Sequence, residues 1–237
     1  MKTKITSVRS VLGVVLSTLL FLNVCGQVHA IQLEILTCEE PPMNFKKGEE
    51  VTGIITDVVK EIIKRTGIKG TIQLEPWARV YKKGLNEPNV VLFTAARTEQ
   101  RENLFKWVGP MINKRWGLFA KRESSIKIKS LDDAKKVGKI GVMRGDARET
   151  LLRAKGFKNL YLLNNHIQAL KMLMIGRIDL FASADIEISS LTREAGIHPS
   201  DEKVVWTLKE IQSYILISKK TSGATVRILQ EAFEEIK

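Results

Sequence analysis

The chain has 237 residues, 38 Lys and Arg against 26 Asp and Glu, a formal charge of +12 and two cysteines. That length suits one large domain or two lobes of roughly 100 residues each, and so few cysteines exclude a scaffold built on disulfides. The basic residues are dispersed along amphipathic stretches without a nucleic-acid motif, so the charge points to small anions or an anionic surface rather than nucleic acid.

Residues 1–30 read as a secretory signal peptide. Lys2, Lys4 and Arg9 precede the apolar run VLGVVLSTLLFL, and VHA ending at Ala30 supplies the small residues of a cleavage site. The run falls short of the roughly 20 residues of a membrane span, and Val24 is too bulky before Cys25 for a lipidation signal. Loss of these residues removes three basic side chains and no acidic ones, lowering the charge to +9 and leaving Cys38 alone. The expectation is an exported, periplasmic or secreted, protein.

From residue 31 short apolar strands alternate with amphipathic helices. IQLEILT alternates with period two, which puts Leu33 and Ile35 on one face. DVVKEIIKRTG follows as a helix stopped by Gly67, then TIQLEP as a strand, WARVYKKGL as a short helix and NVVLFTAA as a strand. TEQRENLF predicts a helix and RWGLFAKR a strand. A second run repeats the rhythm: SLDDAKK capped by Ser130, the strand KIGVMRG, the helix DARETLLRAKG, then NLYLL, HIQALKMLMIGR and IDLFASA. DIEISSLTREAG adds a helix, and SYILISKK a strand that returns to the first sheet. The predicted class is α/β, with parallel strands covered by helices. The predicted division is a first lobe over 31–120, a second over 121–211 and a return over 212–237. Two crossings near LFAKRES and KEIQSY would act as hinges.

Signatures of catalysis are scarce. His29, His166 and His198 form no metal or triad motif, and His166 reads as a helix-start residue; no cofactor or metal is expected. Arg101 stands out, because Thr98 can cap a helix directly after a buried strand, and the carboxyl end of a strand is where open α/β sheets place ligands. Its planar fork suits a carboxylate or phosphate; the alternative is a surface pair with Glu99 or Glu102. Arg97 has less to hold it inward.

PPMNFKKGEEVTGIITDVVKEIIKRTG, PWARVYKKGLNEPNVVLFTAARTEQRENLFKWVGP and GRIDLF together resemble the family-3 extracytoplasmic solute-binding proteins, from about residue 33 to 233. The resemblance implies a two-lobed type II periplasmic binding fold with two hinge crossings. It implies a monomeric receptor that captures an amino acid or similar carboxylate between its lobes and is read by an ABC permease. Arg101 would grip the carboxylate from the Thr98-to-Arg101 element, Thr94 and the backbone of Ala96 would line the cleft, and Trp77 would stack on the ligand or cap the core. From the second lobe, Gly145, Asp146 and Ala147 would face an anion, although Asp146 could instead cap its own helix. Asp185 lies one position from the family's ammonium-binding acid, where the alignment puts Ala184. Glu39 and Glu40 are further ammonium partners or a solvated acidic pair. Met111 departs from the family's usual tyrosine, and LQEAFEEIK stops short of the customary final helix. The same scaffold also admits an exported dehydratase using Glu39, Glu40 or Asp185 as acid, or a sensor feeding a membrane kinase.

Overall fold

The computed structural model describes residues 31–237; the signal-peptide expectation lies outside the described residues. Chain order gives β1 (Glu34–Thr37), a hairpin of β2 (Phe45–Lys47) and β3 (Glu50–Thr52), α1 (Ile54–Thr66), β4 (Ile72–Leu74), α2 (Trp77–Asn86), β5 (Val90–Ala96) and a single turn, α3 (Glu99–Glu102). The strand β6 (Phe105–Lys121) leads into α4 (Leu131–Lys135), β7 (Ile140–Met143), α5 (Ala147–Ala154), β8 (Leu160–Leu163), α6 (His166–Met174), β9 (Leu180–Ala184) and α7 (Asp185–Glu194). β10 (Glu202–Ser218) returns, and α8 (Gly223–Glu234) follows it.

The strands join in the order β4-β1-β5-β10-β6-β9-β7-β8, with β4-β1-β5 parallel at one end and β9-β7-β8 parallel at the other. Both ends are covered on two faces, which is why their strands read as near-continuous apolar runs. At the first end, Leu33, Ile35, Val91 and Phe93 meet Ile55, Val59 and Ile62 of α1 and Leu229 and Phe233 of α8. On the opposite face Leu36, Val90 and Leu92 meet Val80 of α2. At the second end Phe181 packs with Leu170, Ile188 and Leu191 of α6 and α7, while Ile140, Val142 and Ala182 pack with Leu152 of α5 and Ala134 of α4. Two helix-covered ends of one eight-stranded sheet, with separate cores, make the two-lobed α/β fold. The tail LQEAFEEIK runs through the end of α8, whose Leu229, Ala232 and Phe233 pack on the first core.

Two strands connect the lobes. β6 and β10 run 17 residues each, far beyond the usual strand of about 5–6. β10 pairs with β5 through Ser213–Ile217, and β6 pairs with β9 through Trp116–Phe119. In between, Asn113, Lys114 and Arg115 face Gln212, Ile211 and Glu210 across the two crossing strands. The first crossing therefore falls earlier than the LFAKRES expected from sequence, because Leu118 and Ala120 are fully buried in the second core. The helix expected over TEQRENLF is one turn long for a similar reason: Phe105 is claimed by the first core and starts β6. Among the described residues no helix is long and apolar enough to cross a membrane.

Candidate functional site

The fully buried β5 ends at Thr94, Ala95 and Ala96, and the chain turns at once into α3, which carries Arg101. One face of α2 presents Trp77 and Tyr81 four residues apart, the spacing that stacks side chains on a helix. The guanidinium of Arg101 sits 5.0 Å from the Trp77 ring centre and 4.9 Å from that of Tyr81. Such cation–π contacts hold a charge without consuming its in-plane donors. Arg101 is 6% exposed, and its Nη1 donates to the carbonyl of Ala96 over a long 3.4 Å. Burial pulls this guanidinium below its ordinary range while the charge of Asp146 pulls the other way. Arginine nonetheless stays protonated in proteins, with five N–H donors to place. Thr94 is also buried, has φ of 65°, and its Oγ1 has no hydrogen-bond partner among the described residues. A β-branched residue in that region is strained by about 1–3 kcal/mol, a feature that clusters at functional sites.

The second lobe meets this surface through the turn between β7 and α5. Gly145 has φ of 72°, and its carbonyl accepts a 2.8 Å hydrogen bond from Trp77 Nε1, tying the lobes together across the cleft. Its amide donates to Glu149 Oε2 at 2.7 Å. Asp146 caps α5, accepting from the amide of Arg148 at 2.6 Å and from the Arg148 Nε and Nη2 at 2.9 and 2.7 Å. Arg148 in turn donates from Nη1 to Glu187 at 2.5 Å, and Ser183 Oγ donates to the same carboxylate at 3.2 Å. Lys114, on the crossing strand, lies 3.5 Å from Glu187 and is paired with Glu40 of the first lobe. A chain of charges thus runs Glu40, Lys114, Glu187, Arg148, Asp146 from one lobe to the other.

Their ionisation follows from burial against pairing. Burial opposes the charge of Glu187, but Arg148 and Lys114 outweigh it and hold that carboxylate well below its ordinary range. Asp146 is lowered in the same way, against burial, by Arg148. Burial also opposes the ammonium of Lys114, yet Glu40 and Glu187 keep it above its usual value. Glu40 is pushed up, by burial first and by the nearby Glu187 carboxylate, with Lys114 opposing. Burial lowers His166 to about 4, so its imidazole is neutral at physiological pH, and its Nδ1 lacks a partner among the described residues. Burial raises the Cys38 thiol well above its ordinary value, with the Glu40 charge acting in the same direction.

These groups enclose a cavity of about 240 Å³ between the lobes. Thr94, Ala96, Arg101 and Trp77 line it from the first lobe, together with Glu39 and Glu40. Asp146 and Ala147 line it from the second. Four expected residues are placed otherwise. The Gly145 amide is already taken by Glu149, so it does not wait for an anion. Thr98 makes no side-chain cap, and its carbonyl accepts from the Arg101 amide at 2.9 Å. Arg97 turns outward to a bidentate pair with Glu102 at 2.8 and 2.5 Å, over the rings of Trp107 and Tyr214. Asp185 follows β9 by one residue, which turns it away from the cavity to the amide and guanidinium of Arg115, at 3.2 and 3.5 Å. Sequence reasoning missed Lys114, Arg148 and Glu187. Only Glu187 left a trace, as an acid at the third helical position reaching back to the Ala184 amide at 3.4 Å. Among the described residues no three His, Cys, Asp or Glu side chains are grouped to hold a metal ion.

Comparison with known proteins sets this geometry in context. The family model of the bacterial extracellular solute-binding proteins, family 3, matches residues 33–237. The L-cystine-binding protein TcyA of Bacillus subtilis (strain 168) is 24% identical over 194 residues, which cover 81% of this chain and 70% of TcyA. Among solved structures, a histidine kinase sensor domain with similarity to periplasmic binding proteins superposes with a TM-score of 0.78 at 17% identity, covering 87% of this chain and 91% of that one. The arginine-bound form of the T. maritima arginine-binding protein ArgBP gives a TM-score of 0.75 at 18% identity, covering 87% and 96%.

Proposed function

Because the chain belongs to family 3 of the bacterial extracellular solute-binding proteins, we propose that it captures a small carboxylate-bearing solute, an amino acid or close chemical relative, between its lobes. The observation that carries this reading is Arg101: a buried cation held face-on by two rings, with most of its donors free beside the unpartnered Thr94 hydroxyl and an interlobe cavity. A carboxylate arriving there supplies the missing acceptors, and its body lies against Trp77. Closure about the crossing strands near residues 112–116 and 210–213 follows from contacts that only the closed form makes. As an exported monomer, the closed form would be read by an ABC permease in the membrane.

Of the three acids an enzyme on this scaffold would use, Asp185 lies outside the cavity and Glu40 is tied to Lys114, while Glu39 lines the cavity. A second reading, capture of the same solute to signal through a membrane kinase, is favoured by the likeness to a kinase sensor domain. Thermal-shift screening against small carboxylic and amino acids tests the receptor reading. A rise in melting temperature with at least one of them is expected; folded protein that responds to none at millimolar concentration sinks it. Co-purification from solubilised membranes with a permease, rather than a kinase, decides between transport and sensing.

A further inference from the structure

We infer that His166 is a specificity-determining contact of the cavity: from the second lobe its imidazole reads a hydroxyl or an amide in the body of the guest that Arg101 holds from the first. This rests on the receptor reading above and deepens it.

Position 166 has the spacing of a core site. His166 opens α6, and Ala169, Leu170 and Leu173 follow it at the third, fourth and seventh places, which share one helix face. All three are buried in the second core, so packing alone asks for an apolar side chain at 166. Histidine stands there instead, 9% exposed, with the Phe181 ring edge-on at 6.4 Å. A buried histidine is ordinary when its nitrogens are paired, but here Nδ1 has no partner among the described residues. The polar side chains nearest in the chain are engaged elsewhere. Asn165 Oδ1 caps α6 at the Gln168 amide, 2.8 Å away, and Asn164 Oδ1 accepts from Arg144 Nε at 3.3 Å. A buried polar atom left unpaired is costly. His166 lines the interlobe cavity, so a guest there can supply what the protein does not.

The state of the ring sets the chemistry of the contact. Burial lowers the imidazole to about 4, with the Glu187 and Asp146 charges opposing and those of Arg148 and Lys114 assisting. The neutral ring carries one N–H donor and one acceptor nitrogen. It brings no charge to meet one on the guest. The partner that matches it is a group that both donates and accepts, as a hydroxyl or a carboxamide does. Thr94 repeats the pattern on the first lobe, where its buried Oγ1 is also unpartnered and can also do both. The cavity thus has one open, uncharged polar group on each lobe, set in a wall that includes Trp77, Met143 and Leu163. Met143 and Leu163 belong to the same core as the face of α6, so the imidazole is a polar point on an otherwise apolar stretch of that wall. A site built to hydrogen-bond a guest rejects the analogue that lacks the bonding group.

The test is a calorimetric panel on the purified protein, using the common amino acids and the α-hydroxy acids of the same side chains. The tightest binder is expected to carry a hydroxyl or an amide in its side chain. Its near-isostere without that group (valine for threonine, leucine for asparagine, methionine for glutamine) should bind at least about tenfold more weakly. A tightest binder whose side chain is wholly apolar or charged overturns the inference and leaves the receptor reading intact. No binding by any member at millimolar concentration, with folded protein, takes down both. His166→Phe gives a second readout, because it keeps a ring beside Phe181 and removes both nitrogens. In the folded variant the preference for the polar member over its isostere should shrink to within about twofold. His166→Gln, which donates and accepts, should restore part of it. A role in packing alone would weaken both members equally, and a preference left unchanged by His166→Phe overturns the inference. If that variant does not fold, the panel on the unaltered protein decides.

Discussion

The two walls of the cavity are built on opposite principles. On the first-lobe wall, Arg101 and Thr94 are buried with donors and acceptors left open, and the cost shows as a strained threonine and a guanidinium stacked on rings. On the second-lobe wall, Asp146, Arg148 and Glu187 are as deeply placed but satisfy one another. Buried polar groups are normally paired. The paired charges therefore read as scaffold, and the open groups, Arg101 and Thr94 with the His166 Nδ1 opposite them, as what a guest would meet.

The largest expected effect comes from breaking the paired wall. Glu187→Gln leaves Arg148 and Lys114 buried without the charge between them, and removing one member of such a set typically costs about 3–5 kcal/mol. Urea denaturation should show that loss. Breaking the open wall should do the reverse: Arg101→Ala is expected to leave a folded protein whose affinity for its carboxylate falls by about 2–5 kcal/mol, read by calorimetry. Arg97→Ala, four residues earlier, is the matched control. Its guanidinium is tied to Glu102 outside the cavity, and ligand affinity should not change.

A pH series sharpens the contrast at His166. Burial lowers its imidazole from 6.5 to about 4, with Glu187 opposing and Arg148 assisting. Between those values the unfolded chain binds the proton and the folded one does not. Stability is therefore fully present above about pH 6.5 and lost as pH falls toward 4, by up to about 3 kcal/mol. Denaturation of the protein beside His166→Gln should show that acid loss in the former and less of it in the latter. The smallest effect concerns the contact between the walls. Trp77→Phe keeps the ring under Arg101 but removes the 2.8 Å bond to Gly145, and should weaken the closed form by about 0.5–1.5 kcal/mol. Small-angle scattering of the ligand-free variant should report a larger radius.

Much of this is legible in the sequence, and the reasons differ by residue. Strands such as VVLFTAA announce themselves because a strand covered on both faces must be apolar throughout. Arg101 is legible from a local strand-then-cap pattern and Trp77 from the family resemblance, and both line the cavity. The paired wall was not legible: Glu40 lies 74 residues from Lys114, Lys114 lies 73 from Glu187, and Arg148 lies 39 from Glu187. Lys114, Arg148 and Glu187 look like ordinary surface charges in their own segments. Asp185 failed for the opposite reason, since a one-residue offset at the end of β9 reverses the direction of a side chain.

The sequence by itself determined the alternation of strands and helices, the two helix-covered α/β units and the arginine at the end of β5, because burial patterns and turn chemistry act over a few residues. Only the tertiary structure decided where the lobes cross, which acids face the cavity and which cations already hold them. Those outcomes depend on charges brought together from distant segments by packing, where their energies are set by the loss of water around them rather than by their neighbours in the chain.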